Sequence, residues 1–221
     1  MVMKYLRKKK TAKKIWIVLI IIILPAFVLW GLGSASRAKN KANYAGKIFG
    51  KKVSFQEYAN AYNAVLVQGV MRWGEENFQN LAKTIDLKQE AWSRLILVKE
   101  AQREKIRVSD KELAVFIENS DVFQYKGKFD IKAYKEILQF VLRTSVPVFE
   151  NQMRENLMIA KLFNKVTAQV KLSDEQMRQA DKASVEQLLF KEKEGCFNKF
   201  LEELRLQAKF QDNTQNLKIQ P

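Results

Sequence analysis

The sequence predicts a mainly α-helical protein, with a single N-terminal transmembrane helix followed by one helical domain that carries a small β element. Three observations carry this. Only 8 Gly and 3 Pro occur in 221 residues, few for a β-rich fold and suited to long helices. An uncharged apolar run stands near the start. Beyond it, helix-start signals recur along the chain, each followed by apolar residues at helical spacing.

The N-terminal segment 1–14 is basic, with Lys4, Arg7, Lys8, Lys9, Lys10, Lys13 and Lys14 and no acid. Residues 15–32, from Ile15 to Leu32, then hold no charge. As a helix they reach about 27 Å, close to the roughly 30 Å hydrocarbon core of a bilayer. Trp16 and Trp30 stand near the two ends, where indole rings favour the headgroup region. Pro25 breaks a soluble helix but is tolerated in a span. A cleaved signal peptide is the rival reading, with Gly33, Ser34 and Ala35 as small residues for a cleavage site. The apolar run exceeds the about 7–15 residues of such a segment, which favours an uncleaved signal anchor. Lys and Arg are denser before the span than after it, where Arg37, Lys39 and Lys41 stand. The N-terminus is therefore expected in the cytoplasm and the bulk of the chain on the far side of the membrane.

Residues 33–46 read as a linker. Lys47–Val53 predicts a hairpin around Gly50, with Ile48, Phe49 and Val53 as strand formers. Ser54 and Glu57 form a capping-box pattern ahead of Phe55, Tyr58, Ala59, Tyr62, Leu66 and Trp73. Asn77–Lys105 is helical in one or two pieces, because Phe78, Leu81, Ala82 and Ile85 fall out of phase with Trp92, Leu95 and Ile96. Asp86 with Gln89 offers a second start there. Ser109 and Glu112 start a helix through about Asn119. Asp130 caps another, with the stripe Tyr134, Ile137, Leu138 and Val141. Pro147 suits the first turn of a helix to about Thr167, whose polar face is Glu150, Arg154, Lys161 and Lys165. Ser173 starts a shorter helix, and Val185–Phe190 fits strand or helix. Phe197, Phe200, Leu201, Leu204 and Ala208 define a last amphipathic helix, so the domain covers 47–210 and residues 211–221 read as a polar, mobile tail.

The formal net charge is +15, which raises nucleic acid as a partner. With the seven N-terminal cations set aside, 32 basic residues face 24 acidic ones, a net +8. An excess of that size on a helical domain fits a solvated face or an anionic membrane surface better than a phosphate track, so no nucleic acid is expected. Histidine is absent, which excludes Ser-His and Cys-His nucleophile pairs and histidine metal ligands. No phosphate-binding glycine loop or CxxC occurs, and Cys196, the single cysteine, permits no internal disulfide. No catalytic, cofactor-binding or metal-binding residue is assigned, and no cofactor is expected.

The order of these signals resembles a known family. The basic start, the anchor with Leu24-Pro-Ala-Phe27 and the small strand pair resemble the N-terminus of PpiD-like membrane-anchored foldases. Ala91-Trp-Ser-Arg-Leu-Ile96, Glu100-Ala101, Ile106 and Val108-Ser-Asp-Lys-Glu112 are similar to the SurA-type N-terminal chaperone domain. So are Phe123-Gln124, the Gly127-Lys-Phe-Asp130 turn, Tyr134, Leu138, Phe149-Glu150, Arg154, Leu157 and Lys161-Leu162. From this run Gly127, Phe129, Asp130, Tyr134, Phe149 and Arg154 are singled out as structural motif residues. The resemblance implies a SurA N-like domain whose last helix returns to the N-terminal helices, with Lys209-Phe-Gln211 pairing on the Lys47–Val53 hairpin, so that the β element draws on both ends.

In that family a parvulin prolyl-isomerase domain is inserted before the last helix. Only Ser173–Phe197 occupies that place here, far short of a domain, and parvulin sites use histidines. The resemblance thus implies a chaperone without isomerase activity, held in a bacterial inner membrane with its bulk in the periplasm. Its implied partners are unfolded or nascent exported polypeptides and the lipid bilayer, with the export channel as a further one. The alternative is a scaffold or assembly subunit for one dedicated envelope partner.

Overall fold

A computed structural model of the protein describes residues 44–179 and 182–214. The basic segment, the anchor reading at Ile15, Trp16, Pro25, Trp30 and Leu32, most of the linker and the end of the tail lie outside the described residues. No helix among the described residues is long and apolar enough to cross a membrane.

Strands β1 (Gly46–Ile48) and β2 (Lys51–Val53) form the expected antiparallel hairpin. Its two turn residues, Phe49 and Gly50, both have positive φ (51° and 74°), the twist that a two-residue hairpin needs. Helix α1 (Phe55–Trp73) follows, its cap made by Ser54 Oγ accepting from the Glu57 N–H. The reciprocal half of the box is not formed, since the Glu57 carboxylate instead meets Lys99 Nζ at 2.6 Å. The face α1 buries differs from the expected stripe. Tyr58, Ala61, Ala64 and Val67 go inward, while Phe55, Ala59 and Trp73 are exposed.

Gly74 ends α1, and α2 (Glu75–Leu81) starts at once. Asp86 caps α3 (Leu87–Arg103) by accepting from the N–H groups of Lys88 and Gln89. The interruption at 82–86 explains the phase change in the sequence. Every residue from Ala91 to Val98 is buried, so α3 is enclosed on all sides. It packs against α1, α6 (Val146–Val166) and α8 (Lys182–Gln207).

Ser109 and Glu112 close a complete capping box on α4 (Asp110–Glu118). A 3₁₀ turn at Asp121–Phe123 leads into a second small hairpin, β3 (Gln124–Tyr125) with β4 (Lys128–Phe129). Helix α5 (Ile131–Glu136) continues directly as a π turn over Ile137–Val141, where the Leu142 N–H donates to the Ile137 carbonyl. That wider turn inserts one residue, so Leu142 becomes buried and Val141, expected on the inner stripe, is exposed. After α6 come the short α7 (Asp174–Gln179) and the long α8; the segment Val185–Phe190 is helix, not strand.

The chain closes where the ends meet. Strand β5 (Gln211–Asp212) pairs antiparallel with β1, giving the sheet order β2-β1-β5. Gln211 pairs as the family resemblance implied, and Asp212, counted with the tail in the sequence reading, is also part of the sheet. The Phe49 N–H donates to the Ala208 carbonyl, fastening the hairpin to the end of α8. Beneath this sheet lies Trp92, its ring 4.7 Å from Tyr58 and 4.9 Å from Phe210 between centroids.

Candidate functional site

None of the motif residues lines the apolar groove described below. Gly127 has φ +74° in the β3–β4 turn, a conformation open to glycine at little cost. Asp130 Oδ1 accepts from the Lys132 and Ala133 N–H groups at 2.8 and 3.0 Å and caps α5. Phe123, Tyr134 and Phe149 are buried and meet edge to face, with centroids 5.0 to 6.0 Å apart, and Phe129 lies 5.7 Å from Tyr134. Burial, with the Glu150 carboxylate nearby, pushes the Tyr134 hydroxyl up to about 12. Arg154 reaches back to α4, donating to the Val108 carbonyl at 3.0 Å and to Asp110 at 2.8 Å. These contacts pin α6 to α5 on one side and to the start of α4 on the other.

The open surface lies on the other side of α3. A groove of about 540 Å³ runs between α1, α2 and α3, with α6 and α8 contributing at its base. Val65, Trp73, Phe78, Leu81, Leu97 and Ile159 give it a largely apolar wall. Trp73 is 42% exposed, and its ring lies parallel to the buried Phe78, 6.2 Å away. Arg72 covers the Trp73 ring at 4.9 Å. Gly69 makes room for this arrangement: a Cβ there would lie 2.1 Å from the Phe78 ring.

The polar groups at the base are held by the protein itself. Arg94 is 5% exposed and donates to Glu155 at 2.9 Å, to the Gln152 carbonyl at 3.0 Å and to Asn156. Burial presses its guanidinium below the ordinary value, and Glu155 opposes the shift. Ser93 donates to the Gln89 carbonyl at 2.7 Å and accepts from Arg205 at 2.5 Å, tying α8 to α3. The groove therefore presents a mostly apolar surface, with the buried Arg94 at its base paired to Glu155, which suits burial of apolar side chains from a partner.

Sequence reasoning named none of the groove residues as such. Trp73 stood in the expected inner stripe of α1, and Gly69 and Arg94 carried no assigned role. The available signal was the out-of-phase segment Phe78–Ile85, which has to fold back over α1 on a short helix.

At the site expected for an inserted isomerase domain, the described residues form only α7 and the start of α8. No curated protein and no solved structure matches the chain. A family model, that of the SurA-like N-terminal domain, matches residues 2–163, well over half the chain and everything from the N-terminal segment to the last turn of α6. The chain belongs to the SurA-like N-terminal domain family, whose role is chaperone-like at the family level.

Proposed function

We propose that this protein holds unfolded exported polypeptides at the periplasmic face of a bacterial inner membrane, by non-covalent binding and without isomerase activity. The uncharged run Ile15–Leu32 serves as a signal anchor, with the N-terminus cytoplasmic. The observation that carries the client reading is the apolar groove with exposed Trp73 at its lip. A concave, mostly apolar cleft of this size is the usual form of a binding site. Apolar side chains of a client bury there without any group having to react. Ordering a flexible client costs free energy, so each contact is weak, and an anchor raises the effective concentration near the site of export.

A single experiment tests client and location together. In the full chain, Trp73 is replaced by a photo-crosslinking residue and cells are irradiated. The expected adducts join the protein to many different exported chains and are digested by protease added to spheroplasts. Adducts with cytoplasmic proteins, protected from that protease, contradict the location. Adducts with one stoichiometric partner make the protein a dedicated scaffold.

A further inference from the structure

The outer face of the closed sheet carries charges that the fold does not neutralise. Side chains alternate along β1, so Gly46 and Ile48 are buried and Lys47 points away from the core. The register sets Lys52 of β2 directly opposite Lys47 on that face, with Gln211 of β5 on its other side. Like charges directly opposite across a strand pair are destabilising, so this pair works against the fold. No carboxylate among the described residues lies within ion-pair distance of either ammonium. Asp212, the acid of β5, stands opposite Gly46 and accepts from the Thr214 N–H and hydroxyl, each at 2.6 Å. The two ammonium groups are instead gathered over one ring, that of Tyr44, at 5.8 and 5.2 Å from its centroid. A ring face attracts a cation without cancelling its charge, and each ammonium keeps donors for an anion. Lys51, at the tip of the same hairpin, is exposed as well.

We propose that the face formed by Tyr44, Lys47 and Lys52 docks on an anionic phospholipid surface, with the two lysines on lipid phosphates and the ring at headgroup level. A lysine carries its charge at the end of an apolar stem, and a tyrosine joins an apolar body to a polar tip, the combination that suits the headgroup region. The chemistry is recognition of phosphate by two ammonium groups, which a free phosphate would share. Position in the chain favours the lipid. Tyr44 follows Leu32 by twelve residues, and a fully extended chain of that length spans at most about 40 Å. The docking face rests on the reading of residues 15–32 as an anchor, which keeps the first folded element after it within reach of the headgroups at high local concentration.

The test reconstitutes the full chain in vesicles of phosphatidylcholine alone, or of equal parts phosphatidylcholine and phosphatidylglycerol, and follows acylation of each lysine by mass spectrometry. Lys47, Lys51 and Lys52 should react several-fold more slowly in the anionic vesicles, while the exposed Lys128 of β4 reacts alike in both. A lysine at an anionic surface is worth about fivefold in binding. The double variant Lys47→Gln, Lys52→Gln should therefore return Lys51 to its reactivity in neutral vesicles. Its Tm should hold or rise, because the opposed charges are gone. Equal reactivity in the two vesicles, Lys51 still protected in the double variant, or a lowered Tm would each overturn the docking face. Protection of the detergent-solubilised chain by inorganic phosphate or by polyglutamate would assign the face to a free anion or to an acidic polypeptide and would also overturn it. Alkaline extraction of the same vesicles reports on the anchor by itself. A chain that is extracted while Lys47 and Lys52 are protected loses the anchor and keeps the docking face. A chain that stays embedded with both lysines unprotected keeps the anchor and loses the docking face.

Discussion

Glu112 shows how one side chain serves two structures. Its carboxylate accepts from the Ser109 N–H at 2.8 Å, completing the cap of α4, and from Lys161 of α6 at 2.5 Å. The hydrogen bond from Lys161, then those from the Ser109 backbone and hydroxyl, hold its carboxyl down from 4.5 to about 2. A depressed folded-state value means that the unfolded chain takes up the proton first on acidification. The stability this gives is complete above about pH 4.5 and is lost between there and about pH 2. Glu112→Gln should therefore be less stable at neutral pH and have a shallower acid limb, its curve meeting that of the wild type near pH 2. Parallel curves in denaturant unfolding across that interval would contradict this. The cap itself was legible at this scale, because Ser109 and Glu112 have the spacing of a capping box, and so was Asp130, whose cap contributes about 0.5–2 kcal/mol. The ion pair was not, because Lys161 is 49 residues away in sequence. Arg94 was illegible for the same reason, its partners Glu155 and Asn156 lying on another helix.

Among the elements, α6 departs most from what its sequence suggests. The expected polar face of Arg154, Lys161 and Lys165 does not simply point to water. These side chains pair with Asp110, Glu112 and Glu104 and fasten α6 to α4 and to the end of α3. Isolated exposed pairs contribute little, so their joint effect is more a matter of register than of strength. The π turn after α5 was hidden for a different reason. Helical periodicity assumes a constant turn, whereas burial of Leu142 in place of Val141 selects the wider one. The first hairpin was legible from Gly50; at Gly127 the family resemblance implied a turn, but not the β3–β4 strand pair around it, and the pairing of β5 with β1 likewise came from the resemblance. That pairing depends on Gly46. A Cβ there would sit 2.1 Å from the Gln211 carbonyl oxygen and 2.7 Å from the Trp92 ring. Gly46→Ala should cost about 1–3 kcal/mol and speed amide exchange at Gln211 and Asn213. An unchanged unfolding midpoint would mean that β5 does not close the domain.

Across the whole molecule, apolar periodicity located the helices but not the groove. Core and groove residues have the same spacing, and only the packed structure shows that Phe78 is buried while Trp73 stays 42% exposed. The sheet closed over Trp92 and the buried α3 form the packed core, and the short α2 folded back over α1 supplies one wall of the groove. The central claim is that this groove holds unfolded chains. Light scattering of an unfolded exported test protein, with and without the full-length chain in detergent, measures it most directly. The wild type should suppress aggregation near stoichiometric amounts. Trp73→Ser, at a site 42% exposed, should keep the wild-type Tm within a few degrees and lose most of that suppression. A wild-type chain with no effect on aggregation, or a Trp73→Ser variant as effective as the wild type, would contradict the account.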